Sequence, residues 1–342
     1  GGFLHVGPDS AGSNPGPIAY DIGGKNITLT DANLVLGRLE AGSLLNGDMT
    51  LKADLSRRAI EHFAPKVSMS AEELAEGIVR IAVANMAKGI RVLSVERGYD
   101  LRDFTLVPFG GGGPMYASEI ARELRIPQVL IPPHPGTGSA FGLLTSDLRH
   151  VASKSCVAAI GVDCEVDFEK IADELRASVL KTMKEEGHNE QDVTFSAVAD
   201  FRYRGQSYEI PVPIRMPICK GTINEAAQQY HKIYETRYGH NNPNSIVEIV
   251  NLHIAGEASI GRATIKKVVK GTGAAQADRD SRDVIFHGKH YDTAIYHREN
   301  LGAGDKVFGP AIISEYDSTT ILWPGDEMQV DEYGNMVIRF NE

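Results

Sequence analysis

Residues 104–114 read Phe104-Thr105-Leu106-Val107-Pro108-Phe109-Gly110-Gly111-Gly112-Gly113-Pro114. The first half is a short apolar run of the kind a buried strand needs, and the second half cannot continue it, because four consecutive glycines and a proline favour a tight corner. Met115 to Leu124 then has helical spacing. Gln128 to Ile131 reads as a second short strand, stopped by Pro132-Pro133-His134-Pro135-Gly136, and Ser139 to Leu144 as a further short helix. Strand, turn, helix, strand predicts an α/β layer with parallel strands.

A glycine corner between strand and helix lets a ligand approach the backbone. Its N–H groups and the helix dipole suit an anion or a polar heteroatom. The corner lacks the Lys-Ser/Thr of a P-loop and the spacing of a dinucleotide fingerprint. From the residues alone, ligand contact and a purely structural corner are equally good readings.

Upstream, Ser70-x-x-Glu73 is a capping box that opens a long amphipathic helix, expected to end near Gly98. Before it, residues 7–24 are rich in glycine and proline and predict a shaped loop carrying Asp9, Ser10, Asn14 and Asp21. Thr30 or Asp31 is placed to cap a short helix that includes Asn33, and a cap is the simplest role for Asp31. His134, held between prolines, is a candidate proton shuttle, although a half-exposed loop histidine accounts for it more simply.

Downstream the composition changes near residue 150. Phe168 to Met183 predicts a helix closed by Gly187, and Val193–Arg204 with Ser207–Ile214 an antiparallel pair. Thr222-x-x-Glu225 predicts the cap of a helix ending at Tyr238-Gly239, with its tyrosines against a core. Strands are expected at 247–259, 283–286, 293–297, 311–315, 319–322 and 336–340, and an exposed loop at 268–281. The expected division is 1–155, α/β, and 156–342, α+β. His287 and His290 form HxxH, but in strand-like surroundings this spacing turns the rings to opposite faces, so no metal site is expected. No nucleophile elbow, Ser/His/Asp or Cys/His arrangement, or acid/base carboxylate pair is legible, and the catalytic residues stay unassigned.

The bulk figures narrow the function class. The chain has 342 residues, 42% hydrophobic and 23% charged, with a formal net charge of -10. A negative field disfavours nucleic acid and acidic membranes. Cys156, Cys164 and Cys219 are irregularly spaced and odd in number, which fits a reducing cytoplasm. No apolar run is long enough for a bilayer. Gly1-Gly2-Phe3, without an initiator Met, reads as a cut in a longer polypeptide.

Several stretches, in order, resemble the hydantoinase A/5-oxoprolinase family. They are Val6-Gly-Pro-Asp-Ser-Ala-Gly12, Pro15-Gly-Pro17, Thr30-Asp-Ala-Asn-Leu-Val-Leu-Gly-Arg38, Ser94-Val-Glu-Arg-Gly-Tyr-Asp100, Asp103-Phe104 and the glycine corner. Pro135-Gly136, Ser139-Ala140, Ser146-Asp-Leu-Arg-His150, Arg202-Tyr-Arg-Gly-Gln-Ser207, Glu248-Ile-Val-Asn-Leu252, Gly309-Pro-Ala-Ile-Ile313 and Asp317-Ser-Thr-Thr320 continue it.

The resemblance implies part of an actin/sugar-kinase-like ATPase domain followed by an α+β C-terminal domain. It implies a component of an ATP-dependent cyclic amidohydrolase opening hydantoin, oxoproline or lactam rings through a phosphorylated substrate. The alternatives are a subunit of an ATP-dependent ketone carboxylase and a non-catalytic docking platform. It also implies ATP and Mg2+ as cofactors, a B-type subunit or domain as partner, and an oligomer. Gly110, Gly111, Gly112, Gly113 and Pro114 would border the nucleotide, with Asp9, Ser10, Asp31, Asn33 and His134 near the cleft. Two departures stand out. The family's phosphate loops would lie before residue 1, where Asp21-Ile22-Gly23-Gly24 is only a superficial substitute, and His150 is followed by Val151 where an Asp is usual. The chain alone is therefore expected to bind ATP poorly and to turn over nothing.

Overall fold

A computed structural model describes residues 4–42, 49–161, 166–259, 261, 265–273 and 279–340. Gly1-Gly2-Phe3, Cys164 and residues 274–278 of the expected exposed loop lie outside the described residues. The chain forms two compact units, Gly1–Gly142 with Thr264–Glu342, and Leu143–Ala263. A single cut after residue 155 differs from these units in that the last stretch of chain belongs with the first unit. The reason is visible in the core. Strand β2 (Gln128–Ile131) has fully buried Val129 and Ile131. The partner strand comes from the far end of the chain, where β13 (Met336–Phe340) pairs antiparallel with Ile338 opposite Val129.

In the first unit, helices α1 (Leu29–Val35), α2 (Ala53–Phe63), α3 (Ala71–Leu93) and α4 (Gly113–Leu124) pack on two sheets. The cap of α1 is Thr28 rather than Thr30 or Asp31. Asp31 is instead the third helical residue and returns the hydrogen bond of a capping box. Helix α3 begins at the expected box, with Glu73 N–H donating to Ser70 Oγ at 3.1 Å and Ser70 N–H to Glu73 Oε2 at 2.7 Å. It stops at Leu93, and a 3-10 turn, Val95–Arg97, runs on to Gly98 in the left-handed region. Its buried small residues Ala75, Gly77, Ala82 and Ala87 let α1 and α4 approach.

Strand β1 is only Thr105–Leu106, shorter than the apolar run suggests, because Pro108 has no N–H for a ladder and Gly110 already turns the chain. It pairs parallel with β2, in the sheet order β1-β2-β13-β12-β9. The rest of that sheet is antiparallel, built with β9 (Lys306–Phe308) and β12 (Asp326–Val330), neither of which the sequence reading anticipated. The second sheet orders β11 (Thr319–Leu322), β10 (Ala311–Ser314), β8 (Lys289–His297) and β7 (Arg279–Phe286), with only β8–β10 parallel. The expected parallel pairing is that of β1 with β2, and the strands added from the end of the chain make the layer a mixed one. His287 sits at the β7–β8 turn with φ +51°, and His290 Nδ1 lies 2.6 Å from Asp283 Oδ2.

The second unit carries an antiparallel sheet, β3 (Leu148–Ala159), β6 (Val247–Ala258), β4 (Val193–Tyr203) and β5 (Ile210–Ile214), in that order. Helices α6 (Phe168–Glu185) and α7 (Lys220–Tyr238) pack on it, burying Ala199, Phe201, Leu252 and Ile254. A short helix, α5, spans Gly138–Thr145. Cys219, not Thr222, is the N-cap of α7, with Thr222 Oγ1 accepting from Cys219 N–H at 3.0 Å. Tyr230 and Tyr234 are buried as expected, whereas Tyr238 is exposed.

Candidate functional site

Sterics shape the glycine corner. Gly110 has φ +80°, a value that glycine tolerates and L side chains resist. Its N–H donates to Pro135 O at 2.7 Å, and Gly113 N–H closes the turn on Gly110 O at 3.2 Å. The N–H groups of Gly111 and Gly112 pair with none of the described residues. Pro114 falls in the first turn of α4, where a missing N–H costs nothing. A Cβ at Gly112 would meet nothing within 4 Å, and one at Gly111 would come within 2.9 Å of Asp317 O.

Gly111 and Gly112 open on a cavity of about 210 Å³ shared with Asn33, Tyr116, Glu315, Asp317 and Ser318. Asn33 is fully buried; its Nδ2 donates to Leu29 O and to Tyr116 Oη, each at 2.8 Å. Burial pushes the Tyr116 phenol up to about 12, against the Asn33 hydrogen bond and the Arg38 charge, so it stays a neutral hydroxyl. Glu315 is fixed by Arg298 Nη1 at 2.9 Å and by Ser318 Oγ, which donates at 2.8 Å. Asn33 Oδ1 and Asp317 Oδ1 are buried and lack a hydrogen-bond partner among the described residues. Acceptors of this kind call for a donor.

The remaining expected site residues separate. Asp9 and Ser10 line a different, larger cavity of about 850 Å³, walled by Ile27, His62 and Lys66 among others. Tyr20 and Thr30 border both spaces, so the two are neighbours across the start of α1. Asp31 faces neither cavity. Its fully buried carboxylate accepts from Thr28 N–H and Oγ1, Ile18 N–H, Ala19 N–H and Ser56 Oγ, at 2.6 to 3.3 Å. Both oxygens are committed to joining the loop at 17–20 to α1 and α2. His134 is exposed, with φ +52°, and its carbonyl accepts from Thr137. Its neighbours do more at the corner: Pro135 O holds Gly110, and Gly136 abuts Asp317. Tyr116 and the 315–318 turn are the site residues that sequence reading missed. Asp317-Ser-Thr-Thr320 was legible as a motif, but nothing in the sequence places it beside residues 110–113.

The residues fit the nucleotide that the family resemblance implies. Open space at Gly112, two free backbone donors and two unpartnered acceptors match a ligand carrying both O–H or N–H donors and acceptor atoms, as an adenosine does. Among the described residues no three His, Cys, Asp or Glu side chains converge to hold a metal ion, and no helix is long and apolar enough to cross a membrane.

The chain is similar to known proteins over nearly its whole length. Residues 1–152 match the family model described as hydantoinase/oxoprolinase, and residues 162–340 match the hydantoinase/oxoprolinase C-terminal domain. An uncharacterized protein of Methanocaldococcus jannaschii is 40% identical over 98% of this chain and 48% of its own length. Caprolactamase subunit alpha of Pseudomonas jessenii is 32% identical over 96% of this chain and 49% of the relative. For 5-oxoprolinase 1 of Arabidopsis thaliana the figures are 31%, 98% and 28%. The chain thus spans about half the length, or less, of these curated relatives. The crystal structure of the ATP-dependent caprolactamase from Pseudomonas jessenii superposes with a TM-score of 0.83 at 30% identity, over 100% of this chain and 50% of that one. Nucleotide-free acetone carboxylase, at 24% identity and a TM-score of 0.77 over 97% of this chain and 49% of that one, shares the fold.

Proposed function

This chain belongs to the hydantoinase/oxoprolinase family, and from that premise we propose that it is the nucleotide-contacting and C-terminal part of an ATP-dependent enzyme that opens cyclic amides. The observation that carries the reading is the pair Gly111 and Gly112, which line the cavity with Asn33 and Asp317 and whose backbone N–H groups pair with none of the described residues. When bound, ATP supplies the phosphoryl group that turns an amide oxygen into a better leaving group.

This chain's part is to bind and orient. Gly111 and Gly112 donate to acceptor atoms of the nucleotide. Asn33 and Asp317 accept from its hydroxyl or amino groups. The Pro135–Gly138 turn keeps the corner open by holding Gly110 from behind. Mg2+ is proposed to accompany the bound ATP. A B-type subunit is the proposed partner, in keeping with the caprolactamase relative being an alpha subunit. The proposed compartment is the cytoplasm.

The test is ADP release by the full-length protein with its partner subunit, offered oxoproline, hydantoin, caprolactam, or acetone with bicarbonate. Release stimulated by one of the cyclic amides supports the reading. Stimulation only by acetone with bicarbonate replaces it with ketone carboxylation, and no ATP turnover with any of them leaves a docking role.

A further inference from the structure

One face of the second unit's sheet is taken by α6 and α7, and the residues that alternate away from it include a connected polar row. Ser153 on β3 and His253 on β6 are directly paired across the strands, and Asp200 on β4 pairs with Asn251, two residues from His253. Ser153 Oγ lies 2.7 Å from His253 Nδ1, and His253 Nε2 lies 2.8 Å from Asp200 Oδ2. Asn251 Nδ2 donates to the same Asp200 oxygen at 2.9 Å. The serine is exposed, while the side chains of His253 and Asp200 are 28% and 20% exposed.

Chemistry fixes the tautomer. A carboxylate only accepts, so the proton sits on Nε2, which donates to Asp200, and the Nδ1 lone pair is left for the Ser153 hydroxyl. Nucleophile, base and orienting acid are then in line, the arrangement that activates a serine. Three adjacent strands assemble it, which is why no linear motif announced it.

The geometry points to a second reactive centre, independent of the glycine corner: Ser153 as an acyl-accepting nucleophile, His253 as its general base and Asp200 as a positioning residue. Backbone N–H groups in a sheet point along it, toward neighbouring strands, and not out of its face, so this face lacks a ready pair of oxyanion donors. Its substrates are therefore activated acyl compounds, esters or acyl phosphates with good leaving groups. In the first half-reaction Ser153 Oγ bonds to the acyl carbon and passes its proton to His253 Nδ1. The carbon–oxygen bond to the leaving group breaks, and that group takes the proton. Water then attacks the acyl-serine, giving a proton to Nδ1, and Oγ recovers one as the acid departs.

The experiment treats the full chain with an alkyl fluorophosphonate, which loses fluoride as its phosphorus bonds to a serine, and locates the adduct by peptide mass spectrometry. One adduct, on Ser153, is expected. It is absent in Ser153→Ala and forms about 100-fold more slowly in His253→Gln. With p-nitrophenyl acetate, Asp200→Asn should lower kcat and leave KM unchanged, a split that a purely structural role would not produce. Labelling that bypasses Ser153 in the unaltered chain, or proceeds equally fast in His253→Gln, overturns the proposal.

Discussion

Gly136 sits against the carboxylate of Asp317 with no room for a side chain between them: a Cβ there would overlap the Asp317 Cβ, carboxyl carbon and Oδ2. The contact joins the turn behind the glycine corner to the 315–318 turn in front of it. Gly136→Ala should therefore destabilise the protein by about 1–3 kcal/mol, the usual cost of overpacking. Urea denaturation measures it. An unchanged midpoint would mean that the two turns are free to separate.

The corner glycines should divide by mechanism. At Gly112 the backbone is in the right-handed helical region and added atoms meet open space. Gly112→Ala should thus leave stability within about 0.5 kcal/mol. If the nucleotide rests there, ATP affinity of the full-length protein should fall by about tenfold, or about 1.4 kcal/mol. Gly110→Ala, forced to φ +80°, should instead lose about 1–2 kcal/mol of stability. Calorimetric titration with ATP, set beside thermal melts, separates the two.

Asp31 is predicted to matter for folding rather than turnover. Asp31→Ala would strand five buried or half-buried donors around the start of α1. A loss of about 3 kcal/mol or more is expected. Unchanged chemical denaturation would show that water replaces the carboxylate at no cost.

Glu119 gives a pH signature. Burial pushes its carboxyl from 4.5 up to about 6, opposed by Arg38 and Arg122 and reinforced by Glu76. Between those two values the folded state holds a proton that the unfolded state has released. Stability from this group is therefore greatest below pH 4.5 and declines as pH rises through 6. The stability of the wild type minus that of Glu119→Gln should fall by about 2 kcal/mol between pH 4 and 7. Equilibrium unfolding at a series of pH values reads it, and a flat difference would contradict the burial argument.

The buried ion pair of Arg298 and Glu315 holds the front turn. Arg298 also donates to Ile131 O at 3.1 Å and Gly334 O at 2.8 Å. Arg298→Ala leaves a carboxylate buried without its partner and should cost about 3–5 kcal/mol. Thermal and urea unfolding of the variant check it.

Local chemistry made much of this chain legible. The Ser70–Glu73 box, the glycine corner leading into α4, the apolar run of β2 and the glycine stops at 98, 187 and 239 are decided by residues a few positions apart. Their physics is dihedral preference, capping and periodicity, and it acts along the chain. What the sequence could not decide depends on contacts between distant residues. Thr28 rather than Thr30 caps α1 because Asp31 is drawn to the donors of residues 18, 19 and 56. Asp317 reaches the corner only because β10 and β11 fold beneath α4. The strand that pairs with β2 comes from residues 336–340, since β2, with Val129 and Ile131 fully buried, needs an apolar, hydrogen-bonding neighbour and no nearby segment supplies one. Ser153, His253 and Asp200 share a face for the same reason: cross-strand register is set by burial of the opposite face, and no short-range pattern encodes it.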